Sequence, residues 1–127
     1  MPLTQKQELI LKKFAEERKH WPKAQLDAAI WQIKWALQAL PHQKEPDDGE
    51  YDTFLMLAGR GSGKTHTASH WIGIRAWKYD NTRWLVTAPT SNDIRATCFE
   101  GDSGLLNIIP SSLIKDYNKS LFEITLI

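Results

Sequence analysis

The chain has one cysteine in 127 residues, Cys98. A lone cysteine excludes a disulfide framework and cannot by itself build a thiolate metal site. Charge of one sign is also missing. Sixteen Lys and Arg stand against fifteen Asp and Glu, a net charge of +1, so bulk charge does not indicate a strongly basic nucleic-acid module. The first 23 residues carry six basic and three acidic side chains, a bias open to contact with nucleic acid but read first as a solvated helix face. Long apolar runs are absent, so no membrane span is expected. The opening Met-Pro-Leu-Thr-Gln-Lys-Gln-Glu has no apolar stretch of the signal-peptide kind, which makes the cytoplasm the expected compartment, with Cys98 reduced. Neither a repeat nor a low-complexity tract is present. What is plentiful is tryptophan, six in all, pointing to an aromatic core or a surface that meets a partner.

Thr4 with Gln7 three residues later is a capping-box pattern and predicts a helix to about Lys19. Pro22 suits the first turn of a second helix. There Leu26, Ile30, Ile33, Leu37 and Leu40 recur at helical spacing as one apolar stripe, with Trp31 and Trp35 on a neighbouring one. Pro41 ends it, and the polar, turn-rich stretch 41–52 reads as a connecting loop. The pattern then changes. Residues 53–58 and 84–88 are short continuous apolar runs, expected as strands buried on both faces. Between them Ala68, Trp71, Ile72, Arg75 and Ala76 predict a helix with one apolar face. Thr90 or Ser91 is placed to cap a helix to about Phe99, 101–110 reads as loop and a short helical turn, and 121–127 as a last strand. Strand and helix alternate, which predicts βαβ units, an α/β fold and a parallel sheet with the loops after Ala58 and Ala88 at one edge.

Ala58-Gly59-Arg60-Gly61-Ser62-Gly63-Lys64-Thr65 fits the phosphate-binding loop, with Ala in place of the first Gly. A triphosphate needs many converging donors. Glycines let successive backbone N–H groups face one concavity, and the following helix N-terminus adds partial positive charge. Lys64 then reaches the β- and γ-phosphates, and the Thr65 hydroxyl takes Mg²⁺. ATP with Mg²⁺ is the expected ligand. Hydrolysis also needs a carboxylate at the end of a second strand. No apolar run ends that way: Asp47-Asp48 follows Glu-Pro, Asp52 precedes the first run, and 84–88 runs into Pro89-Thr90. The hydrolytic machinery is therefore half present.

The order of these features resembles the large terminase subunit of tailed bacteriophages, the ATPase that drives genome packaging. Trp31-Gln32-Ile33-Lys34-Trp35-Ala36 is similar to that family's tryptophan-rich helix. Gln43-Lys44-Glu45-Pro46 resembles its glutamine segment, which reads adenine, and Leu57 to Thr65 its arginine-containing phosphate loop. Val86-Thr87-Ala88-Pro89-Thr90 with Asp93-Ile94-Arg95, and Phe99-Glu100-Gly101-Asp102-Ser103-Gly104-Leu105-Leu106, resemble further segments in the same order. The resemblance implies a RecA-like P-loop ATPase fold. Residues 1–41 would be an N-terminal helical segment and 42–127 the first part of the ATPase domain, short of its Mg²⁺-binding carboxylate strand and nuclease domain. It implies Lys64 and Arg60 as catalytic residues, Arg60 coupling nucleotide state to movement. It implies Gln43, Ala58, Gly59, Arg60, Gly61, Ser62, Gly63, Lys64 and Thr65 as the nucleotide site. Double-stranded viral DNA, a small terminase subunit, a portal protein and a homo-oligomeric ring would be the partners, in the cytoplasm of a bacterial host. Two alternatives fit the same residues: a superfamily helicase, and a truncated or split-gene product that binds nucleotide without turnover. His66 and His70 stand four apart, a metal-ligand spacing without a third ligand nearby.

Overall fold

A computed structural model of the chain describes residues 2–44, 51–57, 59 and 63–127. Helix α1 spans Gln5–Glu17. Its start is fixed by the reciprocal box: the Gln7 N–H donates to Thr4 Oγ1 (3.2 Å) and the Thr4 N–H to Gln7 Oε1 (3.0 Å). Its far end is closed by aromatic contacts, with the Arg18 guanidinium 4.1 Å from the Phe14 ring centre and Trp21 edge-on to Phe14. Helix α2 spans Lys23–Gln38, directly after Pro22. A single 3₁₀ turn, Pro41–Gln43, follows it.

The buried stripe of α2 is not the leucine-isoleucine one. Ala28 and Trp31 are buried, whereas Leu37 and Leu40 remain exposed. The reason is the partner helix. Helix α3, Lys64–Lys78, presents Gly73 where the Trp31 ring arrives, and a methyl group there would stand 3.0 Å from both Trp31 and Ile109. The absence of a side chain at Gly73 is what lets the largest side chain of α2 into the core. Helix α3 is itself buried along Thr67, His70 and Gly73 rather than along the more apolar Ala68, Trp71 and Ile72.

After α3 come a short helix α4, Ser91–Asp93, capped by Thr90, whose Oγ1 accepts the Asp93 N–H at 3.1 Å. It widens into a π-helical turn over Ile94–Phe99, closed by the Glu100 N–H on the Arg95 carbonyl at 2.8 Å. Helix α5, Leu105–Ile108, and a 3₁₀ turn, Ser111–Leu113, lead to a hairpin of β1, Ile114–Asn118, and β2, Glu123–Leu126. The hairpin is antiparallel with Tyr117 opposite Ile124. Asn118 builds its turn, its Oδ1 accepting the N–H groups of Ser120 (3.0 Å) and Leu121 (3.1 Å). The core gathers Ala28, Trp31, Phe99, Leu105, Ile109 and Leu113, the last with no exposed surface. Ser112 fastens α2 to this end by donating to Asp27 Oδ2 at 2.6 Å, which with Lys23 holds the Asp27 carboxyl below its ordinary pKa.

The expected RecA-like parallel sheet is absent from the described residues. The fold is mostly helical, and its sheet has two antiparallel strands, of which β1 was not anticipated. The runs at 53–57 and 84–88 make no ladder; Leu57 and Leu85 are each 86% exposed. An apolar run supplies strand propensity, but a strand buried on both faces needs paired neighbours and a helical layer on each side. Here the second run buries alternate residues, Trp84, Val86 and Ala88 partly covered and Leu85 and Thr87 open. That is the two-residue period of an extended segment covered on one face. With the parallel sheet goes the inference that the loops after Ala58 and Ala88 share its edge. No helix among the described residues is long and apolar enough to cross a membrane.

Candidate phosphate-binding site

Two helices of similar length start differently. The first turn of α1 is closed by Thr4 and Gln7 and carries Glu8. The first turn of α3 has no acidic residue, and no described side chain caps it. Its N-cap is Gly63, in the left-handed region at φ 84°. A helix start leaves its first N–H groups without intrahelical acceptors and carries roughly half a positive charge. Helix α3 adds the Lys64 ammonium at the same point, with Thr65 next to it. The combination favours a multiply charged anion.

The Gly63 carbonyl is held from three directions. It accepts the Thr67 N–H (2.9 Å), the Thr67 hydroxyl (2.8 Å) and Nε2 of Gln43 (3.3 Å). Gln43 lies 20 residues earlier in the chain and is 7% exposed. Its Oε1 accepts the Leu40 N–H at 2.9 Å. So the structure brings Gln43 to Gly63, which Lys64 and Thr65 follow at the start of α3. Gly59 is described and exposed. Ala58, Arg60, Gly61 and Ser62, also expected here, lie outside the described residues.

Lys64 and Thr65 open onto a cleft of about 500 Å³ between one face of α3 and the extended segments. Phe54, Met56, Trp71, Ile72 and Val86 make its lining largely apolar. Asp52 is on the same lining, a carboxylate that sequence reasoning set aside because it precedes the first apolar run. A signal for it exists only in three dimensions. Among the described residues no cluster of three His, Cys, Asp or Glu is placed to hold a metal ion. A hydroxyl and a single carboxylate suit an ion such as Mg²⁺, which keeps several waters and is shared with substrate phosphates. Cys98 also lines the cleft, and burial pushes its thiol above the ordinary pKa, keeping it protonated at neutral pH.

Behind the site α3 is clamped by aromatic rings. His70 stacks on Trp35 with centroids 3.9 Å apart and planes 10° from parallel, and His66 meets the same indole edge-on at 5.4 Å. The His70 Nδ1–H donates to the His66 carbonyl at 2.8 Å. Burial lowers the pKa of both imidazoles, that of His70 to about 4. The histidine pair thus serves packing, with Trp31 and Trp35 of α2 set against it. Trp71 and Trp84 pack edge-on at 5.7 Å, and Trp71 Nε1 donates to the Tyr51 hydroxyl at 3.3 Å. Arg95 reaches Asn92 Oδ1 at 3.1 Å and Glu100 at 3.8 Å, both on its own stretch of chain.

No protein-family model, curated protein or solved structure matches the chain.

Proposed function

We propose that the chain binds a nucleoside triphosphate with Mg²⁺ at the start of α3, and that it is the ATP-binding part of a viral DNA-packaging motor. The observation that carries the first part is the first turn of α3: a left-handed glycine, no described side-chain cap, no acid, and Lys64 and Thr65 at its head. Lys64 neutralises phosphate charge, Thr65 offers its hydroxyl to Mg²⁺, and the turn's N–H groups supply further donors. Asp52 lines the same cleft and is a carboxylate that the ion's water shell could meet.

The motor reading rests on the ordered resemblance to the terminase large subunit. In it Arg60 couples nucleotide state to movement, and double-stranded DNA is gripped through its phosphates. A portal, a small terminase subunit and further copies of the chain in a ring would be the other partners, in the cytoplasm of a bacterial host.

Titration of the 127-residue chain with a fluorescent ATP analogue and Mg²⁺, followed by displacement with ATP, tests the binding reading. Lys64→Ala should weaken binding roughly 10–100-fold, the worth of a charge-assisted contact. Phosphate release that depends on Lys64 should be absent, because no carboxylate of the hydrolytic kind follows an apolar run. Equal affinity of the parent and Lys64→Ala would remove the site. Lys64-dependent turnover would show that the hydrolytic set is complete after all.

A further inference from the structure

Gln43 ties the segment ahead of the loop to the loop's exit. Its amide is buried and engaged at both ends, accepting from Leu40 and donating to Gly63. The same Gly63 carbonyl takes both donors of Thr67. The left-handed backbone favours glycine here. A Cβ at this position would collide with the Gln43 amide nitrogen. Gln43 therefore fills the space a side chain at position 63 would occupy, and fixes the peptide that turns the chain into α3.

The geometry points to Gln43 as a positioning residue for the phosphates: by holding the Gly63 peptide it keeps the first turn of α3 open toward a triphosphate, whatever base the ligand carries. This rests on the triphosphate reading above. It differs from the duty the family resemblance implies, contact with adenine. An amide whose oxygen and nitrogen both bond to backbone has a structural task that does not involve a base. The Thr67 hydroxyl, donating to the same carbonyl from the helix side, shares that task.

The two duties separate when the base is removed from the ligand. Affinities for Mg²⁺·ATP, Mg²⁺·GTP and Mg²⁺·tripolyphosphate would be measured by calorimetry on the full chain, the Gln43→Ala chain and the Thr67→Val chain. Loss of the hydrogen bond that holds the Gly63 carbonyl predicts a roughly five- to tenfold weakening for Gln43→Ala, equal for all three ligands. Thr67→Val should give a similar, ligand-independent loss, with binding stoichiometry unchanged. Stoichiometry is the control: misfolding would lower the number of sites, not the affinity of those that remain. Weakening confined to ATP, with tripolyphosphate binding intact, would overturn the inference in favour of base reading. Unchanged affinities in both variants would overturn it as well. Failure of the parent chain to bind any of the three would instead remove the triphosphate reading, and this inference with it.

Discussion

His70 makes the stability of the α2–α3 contact depend on pH, and the size of the effect follows from its surroundings. The side chain is 6% exposed and stacked on Trp35. Burial holds its pKa at about 4, against 6.5 for a free imidazole. Above pH 6.5 the ring is neutral in both folded and unfolded chains and costs nothing. As pH falls through 6.5 the unfolded chain takes up the proton first, so stability declines, and the decline levels off below the folded-state value. The displacement corresponds to ~3.4 kcal/mol when complete and to ~2 kcal/mol at pH 5. A protonated ring over Trp35 would recover part of this as a cation–π contact, ~0.5–2 kcal/mol, too little to reverse the sign. The other titratable ring in contact is His66, on the same helix and shifted in the same direction. The comparison must therefore be with a chain that keeps His66. His70→Phe retains the stack and removes the titration. Urea unfolding at pH 7.5 and pH 5.0 should show the parent losing about 2 kcal/mol more than His70→Phe between the two pH values. Parallel losses in the two chains would refute the reasoning, because they would mean that His70 is protonated in the folded state without penalty.

Two further expectations concern packing. Gly73→Val should destabilise the chain by about 1–3 kcal/mol, since even a methyl group there crowds Trp31 and Ile109; the urea midpoint measures it. The Tyr117 hydroxyl is buried without a partner among the described residues, and burial raises its pKa. Tyr117→Phe keeps the ring against Phe99 and deletes the orphan, so thermal unfolding should show a change between neutral and a gain of about 1 kcal/mol. A clear loss would mean that the hydroxyl is satisfied in solution.

Much of the local structure was legible. The Thr4–Gln7 box and the Thr90 cap depend on side chains within three residues of the backbone they serve, and the helices after Pro22 and after the glycines follow local helical patterning. The helix start at Gly63, Lys64 and Thr65 was legible because the three are consecutive and a helix start concentrates its own donors. What sequence could not settle was which surface each element buries. Helix α2 has an aliphatic stripe and a tryptophan-bearing one, and Trp31 is the one buried because Gly73 on another helix makes room for it. The apolar runs at 53–57 and 84–88 looked like buried strands, but pairing requires neighbours that local composition cannot provide. The bond from Gln43 to Gly63 spans 20 residues, and the Asn118 hairpin was missed because its first strand, Ile-Lys-Asp-Tyr-Asn, is too polar to signal itself. Sequence alone determined where helices begin, because a helix start is a local hydrogen-bonding problem. The tertiary structure alone decided the burial of Trp31, the lowered pKa of His70 and the anchoring of the Gly63 peptide. Each of these is set by close packing between residues far apart in the chain.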